Sequence, residues 1–126
     1  MKKTGLHILR VGLGITFVWI GILIFKFPDA WGGYLQPWAL NLLPIPLATA
    51  MMETAALDII IGLLLLMNVG TWIAAGLASL HLIVVLIASG ITDITVRDIG
   101  LLAGSVALLI ESLPASLTTK FLKNKI

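Results

Sequence analysis

The chain has 126 residues, of which 60% are hydrophobic and 11% are charged, and it contains no cysteine. A soluble domain would carry about a quarter charged residues, so this composition leaves too little polar surface for a water-soluble monomer. Without cysteine, the chain can form no disulfide, no thiolate metal site and no cysteine nucleophile. The net charge of +2 gives no reason to propose nucleic-acid binding, and two histidines far apart in sequence make a metal site unexpected. We expect a multi-pass integral protein of the cell membrane.

Four apolar segments are long enough to cross a bilayer, which takes about 20 helical residues. The first ends before Pro28, and no small-x-small cleavage site follows it, so we interpret it as a retained span and not as a signal peptide. The predicted spans cover residues 6–27, 46–67, 71–89 and 93–113. The sequence therefore predicts an all-α, four-helix transmembrane bundle that forms one domain over residues 1–126.

The connection between the first two spans, residues 28–45, is the only long one. It contains Trp31, Tyr34 and Trp38 among glycines and prolines. Amphipathic aromatic rings favour the membrane–water interface. We expect this connection to be a loop or short helix that lies at the outer membrane surface.

The orientation follows from lysines and arginines near the ends of the chain. These residues are Lys2, Lys3 and Arg10 at one end and Lys120, Lys123 and Lys125 at the other. Four spans place both termini on one side, and the positive-inside rule makes that side cytoplasmic. The aromatic connection and the corner at 91–98 would then face outward.

Several charged residues fall at the predicted outer ends of the spans, and we name them the outer cluster. Its candidate ligand-binding residues are Lys26, Glu53, Asp93, Arg97, Asp98 and Tyr34, with Trp31 available beside Tyr34 as a lid. A charge at membrane depth is costly unless it is paired or hydrated, and such charges mark functional sites. Cations and carboxylates at one level suit either a mutually neutralising network or a site for a polar head group, and the sequence does not separate these two interpretations.

Two further pairs of polar residues fall deeper in the spans. Arg10 and Glu111 lie at similar depth near the cytoplasmic side, and their pairing would avoid two bare charges. Asp58 and His81 lie near the middle of antiparallel spans, where they can form a hydrogen bond. A structural bond is the preferred interpretation of the second pair, and a proton relay is the alternative.

One face of the fourth span has small residues between two charges. Gly100 and Gly104 form a small-xxx-small pair between Arg97 and Glu111. Such a pair lets another helix approach closely, so we interpret it as a packing surface.

Three segments carry a resemblance to a known family. The first span contains LRVGLGITF at 9–17 and ends in FKF at 25–27. In the second span Glu53 is followed by IGLLL at 61–65, and the fourth span opens with RDIGLL at 97–102. Together with the length, the four spans and the long first connection, these segments resemble the DoxX/DoxD-type small membrane proteins over nearly the whole chain.

The resemblance implies a four-helix membrane bundle. Some relatives are linked to quinone-dependent thiosulfate oxidation and others to redox or stress-defence partners. The polar residues that it carries over are Arg10, Lys26, Glu53, Arg97 and Asp98. The redox function of relatives that use paired cysteines does not transfer to this chain, because it contains no cysteine. An electron-transfer role would need a bound quinone or a cofactor in a partner subunit.

Two functions follow as expectations. In the first, the protein binds a quinone-like or small anionic ligand at the outer cluster, where Arg97 and Lys26 polarise an oxygen and Glu53 orients or exchanges a proton. In the second, it is a non-catalytic accessory subunit that assembles with another membrane subunit or with a second copy. A transporter is a weaker third, because the four spans show no internal repeat and no broken helix.

Overall fold

The computed structural model describes residues 3–117, and every regular element in that part is a helix. Three helices of the described part are long and apolar enough to cross a membrane, which agrees with the predicted membrane class. The elements are α1 (Lys3–Lys26), α2 (Pro28–Gly32), α3 (Pro37–Leu42), α4 (Leu47–Met67), α5 (Thr71–Ser89) and α6 (Val96–Ser112). Of the residues used for the orientation, Lys2, Lys120, Lys123 and Lys125 lie outside the described part.

The fourth predicted span is shorter than expected and corresponds to α6, which has 17 residues. The helix begins at Val96 because a separate turn precedes it. The Thr92 hydroxyl accepts hydrogen bonds from the backbone N–H groups of Ile94 (3.2 Å) and Thr95 (3.0 Å). Thr92 thus caps this turn, one turn ahead of the helix. The Thr95 hydroxyl donates to the carbonyl of Gly90 at 2.6 Å and joins the turn to the end of α5.

The α1–α4 seam is the most extensive helix pairing in the described part, and glycines allow the two backbones to approach closely. A Cβ atom on Gly62 would lie 2.7 Å from the carbonyl oxygen of Gly14, and one on Gly21 would lie 2.9 Å from that of Ala55. Side chains larger than hydrogen cannot occupy these positions without moving backbone. This small-residue packing is the arrangement by which helices associate in a membrane, where apolar burial against lipid gives little drive.

The remaining helices pack beside this seam. Small α5 residues, Ala74, Ala75 and Ala78, are fully buried in one core with Ile61 and Leu65 of α4. The α4–α5 connection is a tight turn in which Asn68 and Gly70 adopt left-handed conformations (φ 55° and 54°). Because the turn is short, α4 and α5 are neighbours, and α5 in turn packs along α6.

The long aromatic connection contains two short helices, α2 and α3, and bends back over the bundle. The backbone N–H of Gln36, between them, donates to the carbonyl of Ala88 near the end of α5 at 3.0 Å. Leu47 packs around Gly32, where an added Cβ would lie 2.9 Å from the leucine side chain. These contacts hold the connection against the ends of α4 and α5.

Candidate functional site

A cavity of about 630 Å³ lies among α1, α4, α5, the start of α6 and the aromatic connection. Most of its wall is apolar, including Phe17, Ile24, Met51 and Leu82. The charged, titratable and aromatic polar side chains that line it are Trp31, Tyr34, Trp38, Asp58, His81, Arg97 and Asp98. An apolar pocket with a few convergent polar groups is the usual form of a small-molecule site.

Asp58 is the most deeply buried charged residue of the cavity. It lies in the middle of α4 and is 3% exposed. Its Oδ1 atom lies 3.1 Å from Nε2 of His81 in the middle of α5, so the two residues that were predicted to share a hydrogen bond are close together. This oxygen nevertheless accepts no hydrogen bond of good geometry from any residue within 3–117. A buried acceptor that lacks a hydrogen bond is energetically costly. A ligand that donates a hydrogen bond to Oδ1 of Asp58 would remove this cost.

Arg97 and Asp98 bring the first turn of α6 to the same cavity. Arg97 is exposed, and its Nε donates to the carbonyl of Ile94 at 3.2 Å. Asp98 is half-buried and lies within electrostatic range of Arg97, Asp58 and His81. The polar end of the cavity therefore holds two carboxylates, one guanidinium and one imidazole.

Aromatic rings of the connection line one side of the cavity. Trp31 and Tyr34 meet edge to face, with ring centroids 6.1 Å apart and planes at 67°. Trp38 also lines the wall, and its indole N–H donates to the side-chain oxygen of Gln36 at 2.5 Å. The predicted role of Trp31 and Tyr34 as a lid over the outer cluster stays a prediction.

The structure does not gather the whole outer cluster at this cavity. Arg97, Asp98 and Tyr34 line it, whereas Lys26, Glu53 and Asp93 are exposed and are not among its lining residues. Glu53 instead borders a separate, more open depression of about 390 Å³, which it shares with Thr54 and His81. Glu53 is exposed and Asp58 is buried, which agrees with a spacing of five residues that places them on different faces of one helix.

Arg10 has partners other than a carboxylate. Its Nη1 atom donates to the carbonyl oxygens of Leu65 (2.5 Å) and Leu66 (3.2 Å), and its Nη2 lies 3.3 Å from Nδ1 of His7. A cation at the carbonyl end of α4 is favourably placed with respect to the helix dipole. The predicted pairing of Arg10 with Glu111, an exposed residue that has an interaction of its own, stays a prediction.

Sequence reasoning placed the ligand site at the ends of the spans and assigned Asp58 and His81 to structure. The structure places those two residues in the same cavity as Arg97 and Asp98. A signal for this was available on α4, because Thr54 and Asp58 are four residues apart and share one face. The contribution of Trp38 depends on the path of the connection, which the sequence does not specify.

The acidic and histidine residues of the site do not form a metal centre. Within residues 3–117, no three or more His, Cys, Asp or Glu side chains are grouped so that they could hold a metal ion. Comparisons with family models, curated proteins and solved structures found no match to this chain. The arrangement of the side chains is therefore the basis for assigning a function.

Proposed function

We propose that the protein binds an amphipathic small molecule in the cavity, with the apolar body of the molecule among the helices and its polar head at Asp58, His81, Arg97 and Asp98. The observation that carries this proposal is Oδ1 of Asp58, which lies near His81 but accepts no hydrogen bond and is buried in the wall of a ligand-sized cavity. Ligand sites are commonly apolar clefts of about 300–1,000 Å³ with a few polar groups that fix orientation.

The quinone-like ligand that the family resemblance implied is one molecule of suitable size. Its ring would lie among Phe17, Leu82 and Trp31, and a ring carbonyl would accept a hydrogen bond from Arg97 or His81. A small anion is less well supported, because two carboxylates line the polar end together with one guanidinium. Membership of the DoxX/DoxD-type family is part of this proposal.

We also propose that α6 crosses the membrane, which gives a four-helix bundle in the cell membrane with both termini in the cytoplasm. At 1.5 Å per residue, the 17 residues of α6 extend about 26 Å, close to the hydrocarbon thickness of about 30 Å. Large apolar side chains are also exposed along this helix, among them Ile99, Val106 and Ile110. Such a surface is suited to lipid.

Single-cysteine labelling tests the number of crossings, since the chain has no cysteine of its own. The variants are Val69→Cys at the α4–α5 turn, Asp93→Cys at the α5–α6 corner and Ala115→Cys after α6, all at exposed positions. A membrane-impermeant maleimide added to intact cells should label position 93 and leave 69 and 115 unlabelled until the cells are lysed. Labelling of 115 together with 93 would show that α6 does not cross.

Native mass spectrometry after purification in mild detergent tests ligand binding. A small molecule should accompany the wild-type protein and be lost from Asp58→Asn. Glu53→Gln distinguishes the two candidate sites: it keeps the molecule if the cavity is the site and loses it if the outer cluster is. A wild-type protein that carries no small molecule, and takes up none from an added lipid-soluble extract, would contradict the proposal.

An accessory role is the second candidate function, and a surface of α6 favours it. A Cβ atom on Gly100 would meet nothing within 4 Å, so this glycine lies on an open face of the helix. Gly104, in contrast, is covered by Leu9 of α1. A helix of another membrane subunit or of a second copy could approach closely at Gly100. A stoichiometric protein partner that is lost from Gly100→Leu would support this role.

A further inference from the structure

Several hydroxyl and N–H groups at the wall of the cavity are already used as hydrogen-bond donors within the protein. The hydroxyl groups of Thr16 and Thr54 already donate to carbonyls of their own helices, at 2.8 and 3.0 Å. The indole N–H of Trp38 is engaged with Gln36. The hydroxyl oxygens of these threonines can therefore accept a hydrogen bond from a ligand but cannot donate one. Oδ1 of Asp58 likewise accepts no hydrogen bond, although it lies 3.1 Å from Nε2 of His81.

The charged side chains at the polar end of the cavity also favour a ligand that donates hydrogen bonds. The carboxyl groups of Asp58 and Asp98 outnumber the one guanidinium, that of Arg97. Arg97 is also exposed, so solvent screens it more than it screens the buried Asp58. A ligand head that brings a positive charge and N–H donors would neutralise this excess and satisfy Oδ1.

Aromatic rings supply a third contribution. Trp31, Tyr34 and Trp38 line the cavity on the side of the connection. The faces of such rings attract cations, most strongly where water is excluded. A wall that combines carboxylates with aromatic rings suits an organic cation better than an anion of the same size.

We infer that the cavity selects ligands that carry a protonated amine on an apolar body, with the ammonium group bound at the Asp58 and Asp98 carboxylates. This inference rests on the proposed ligand-binding function and specifies the chemical class of the head group. The ammonium N–H groups donate to Oδ1 of Asp58, and the apolar body lies among the side chains of α1, α4 and α5.

Three probes with the same carbon skeleton test the inference: 4-phenylbutylamine, 4-phenylbutanol and 4-phenylbutyrate. Binding to the full chain in phosphatidylcholine nanodiscs is measured by equilibrium dialysis, and uptake by protein-free nanodiscs is subtracted. This lipid has no net charge and so does not itself concentrate the amine. We expect the amine to bind at least about tenfold more tightly than the alcohol and the carboxylate to bind weakest, because a hydrogen bond to a charged group is the stronger one.

Variants locate the preference within the cavity. Asp58→Asn keeps the shape of the side chain but removes its charge, and should weaken amine binding about tenfold while alcohol binding stays within about threefold. Asp98→Asn, at a half-buried position, should act in the same direction and serves if Asp58→Asn does not fold. Glu53→Gln, outside the cavity, should leave the affinities of all three probes unchanged.

The outcomes distinguish a failure of the amine selectivity from a failure of the proposed small-molecule binding. If none of the three probes binds the wild-type protein, the small-molecule function itself fails. If the probes bind but the carboxylate binds as tightly as the amine, the function stands and the selectivity is refuted. An amine preference that survives both Asp58→Asn and Asp98→Asn would also overturn the inference, because the carboxylates would not be its source.

Discussion

The two sides of α4 differ in how they are packed. Toward α1, Gly62 lies against the backbone at Gly14, and nothing larger than hydrogen fits between the helices. Toward α5 and α6, Thr54 and Asp58 face a cavity of about 630 Å³. One helix thus forms a closely packed seam on one side and a polar, ligand-sized space on the other. A rigid seam can hold the cavity residues in place without filling the space between them.

The largest effect should come from filling the seam. In Gly62→Ala the new Cβ would lie 2.7 Å from both the Gly14 oxygen and the Val18 nitrogen, so backbone must move. We expect a loss of about 3 kcal/mol in the free energy of unfolding, measured by denaturant titration in mild detergent. Gly100→Ala is the matched control because its Cβ meets nothing within 4 Å, and it should stay within about 1 kcal/mol of wild type. Equal losses in both variants would mean that the seam is not sterically tight.

A smaller effect is expected at the end of the seam, where Arg10 of α1 donates to the carbonyls of Leu65 and Leu66. Arg10→Leu removes these charge-assisted hydrogen bonds and should cost about 2 kcal/mol in the same unfolding measurement. Arg97→Leu changes the same residue type at an exposed position and should cost less than about 1 kcal/mol. A silent Arg10→Leu variant would show that the guanidinium does not join α1 to α4.

On the cavity side we expect stability to depend on directional hydrogen bonds. The buried hydroxyl of Thr95 donates to the Gly90 carbonyl at 2.6 Å and accepts from the Thr92 N–H at 2.7 Å. Thr95→Val keeps the shape and loses both bonds, so we expect a cost of about 1 kcal/mol. Thr4→Val, at an exposed position near the start of α1, is the control for the substitution itself. A change no larger than that of the control would argue against this turn as a support of the cavity.

The sequence predicted the elements better than the arrangement of the site. Apolar length was enough to predict the helices near 6–27, 46–67 and 71–89, because crossing a membrane demands such segments. The start of α6 was misplaced by one turn because the Thr92–Thr95 hydrogen bonds form a separate turn that residue type does not reveal. Helix spacing also placed Glu53 and Asp58 on different faces.

The sequence does not determine which of those two faces of α4 is buried. Both residues are carboxylates in an apolar helix, and only the packing of α1 and α5 decides which one is buried. Asp58 is 3% exposed, whereas Glu53 lies on the surface. The contact between Asp58 and His81 could be predicted from depth alone, but its position in a cavity wall depends on the path of the aromatic connection. That path is fixed by contacts such as Gln36 with Ala88, which are distant in sequence.

The smallest effect is expected at Glu53, and it separates the surface of α4 from its cavity side. Glu53→Gln keeps the size of an exposed side chain and removes its charge, so the free energy of unfolding should change by less than about 0.5 kcal/mol. Affinity for a cavity ligand should also be unchanged, because Glu53 borders the separate depression. The measurement is the same pair of unfolding and dialysis experiments, with Asp58→Asn beside it. If Glu53→Gln weakened binding as much as Asp58→Asn, the depression and the cavity would act as one site through His81, which borders both.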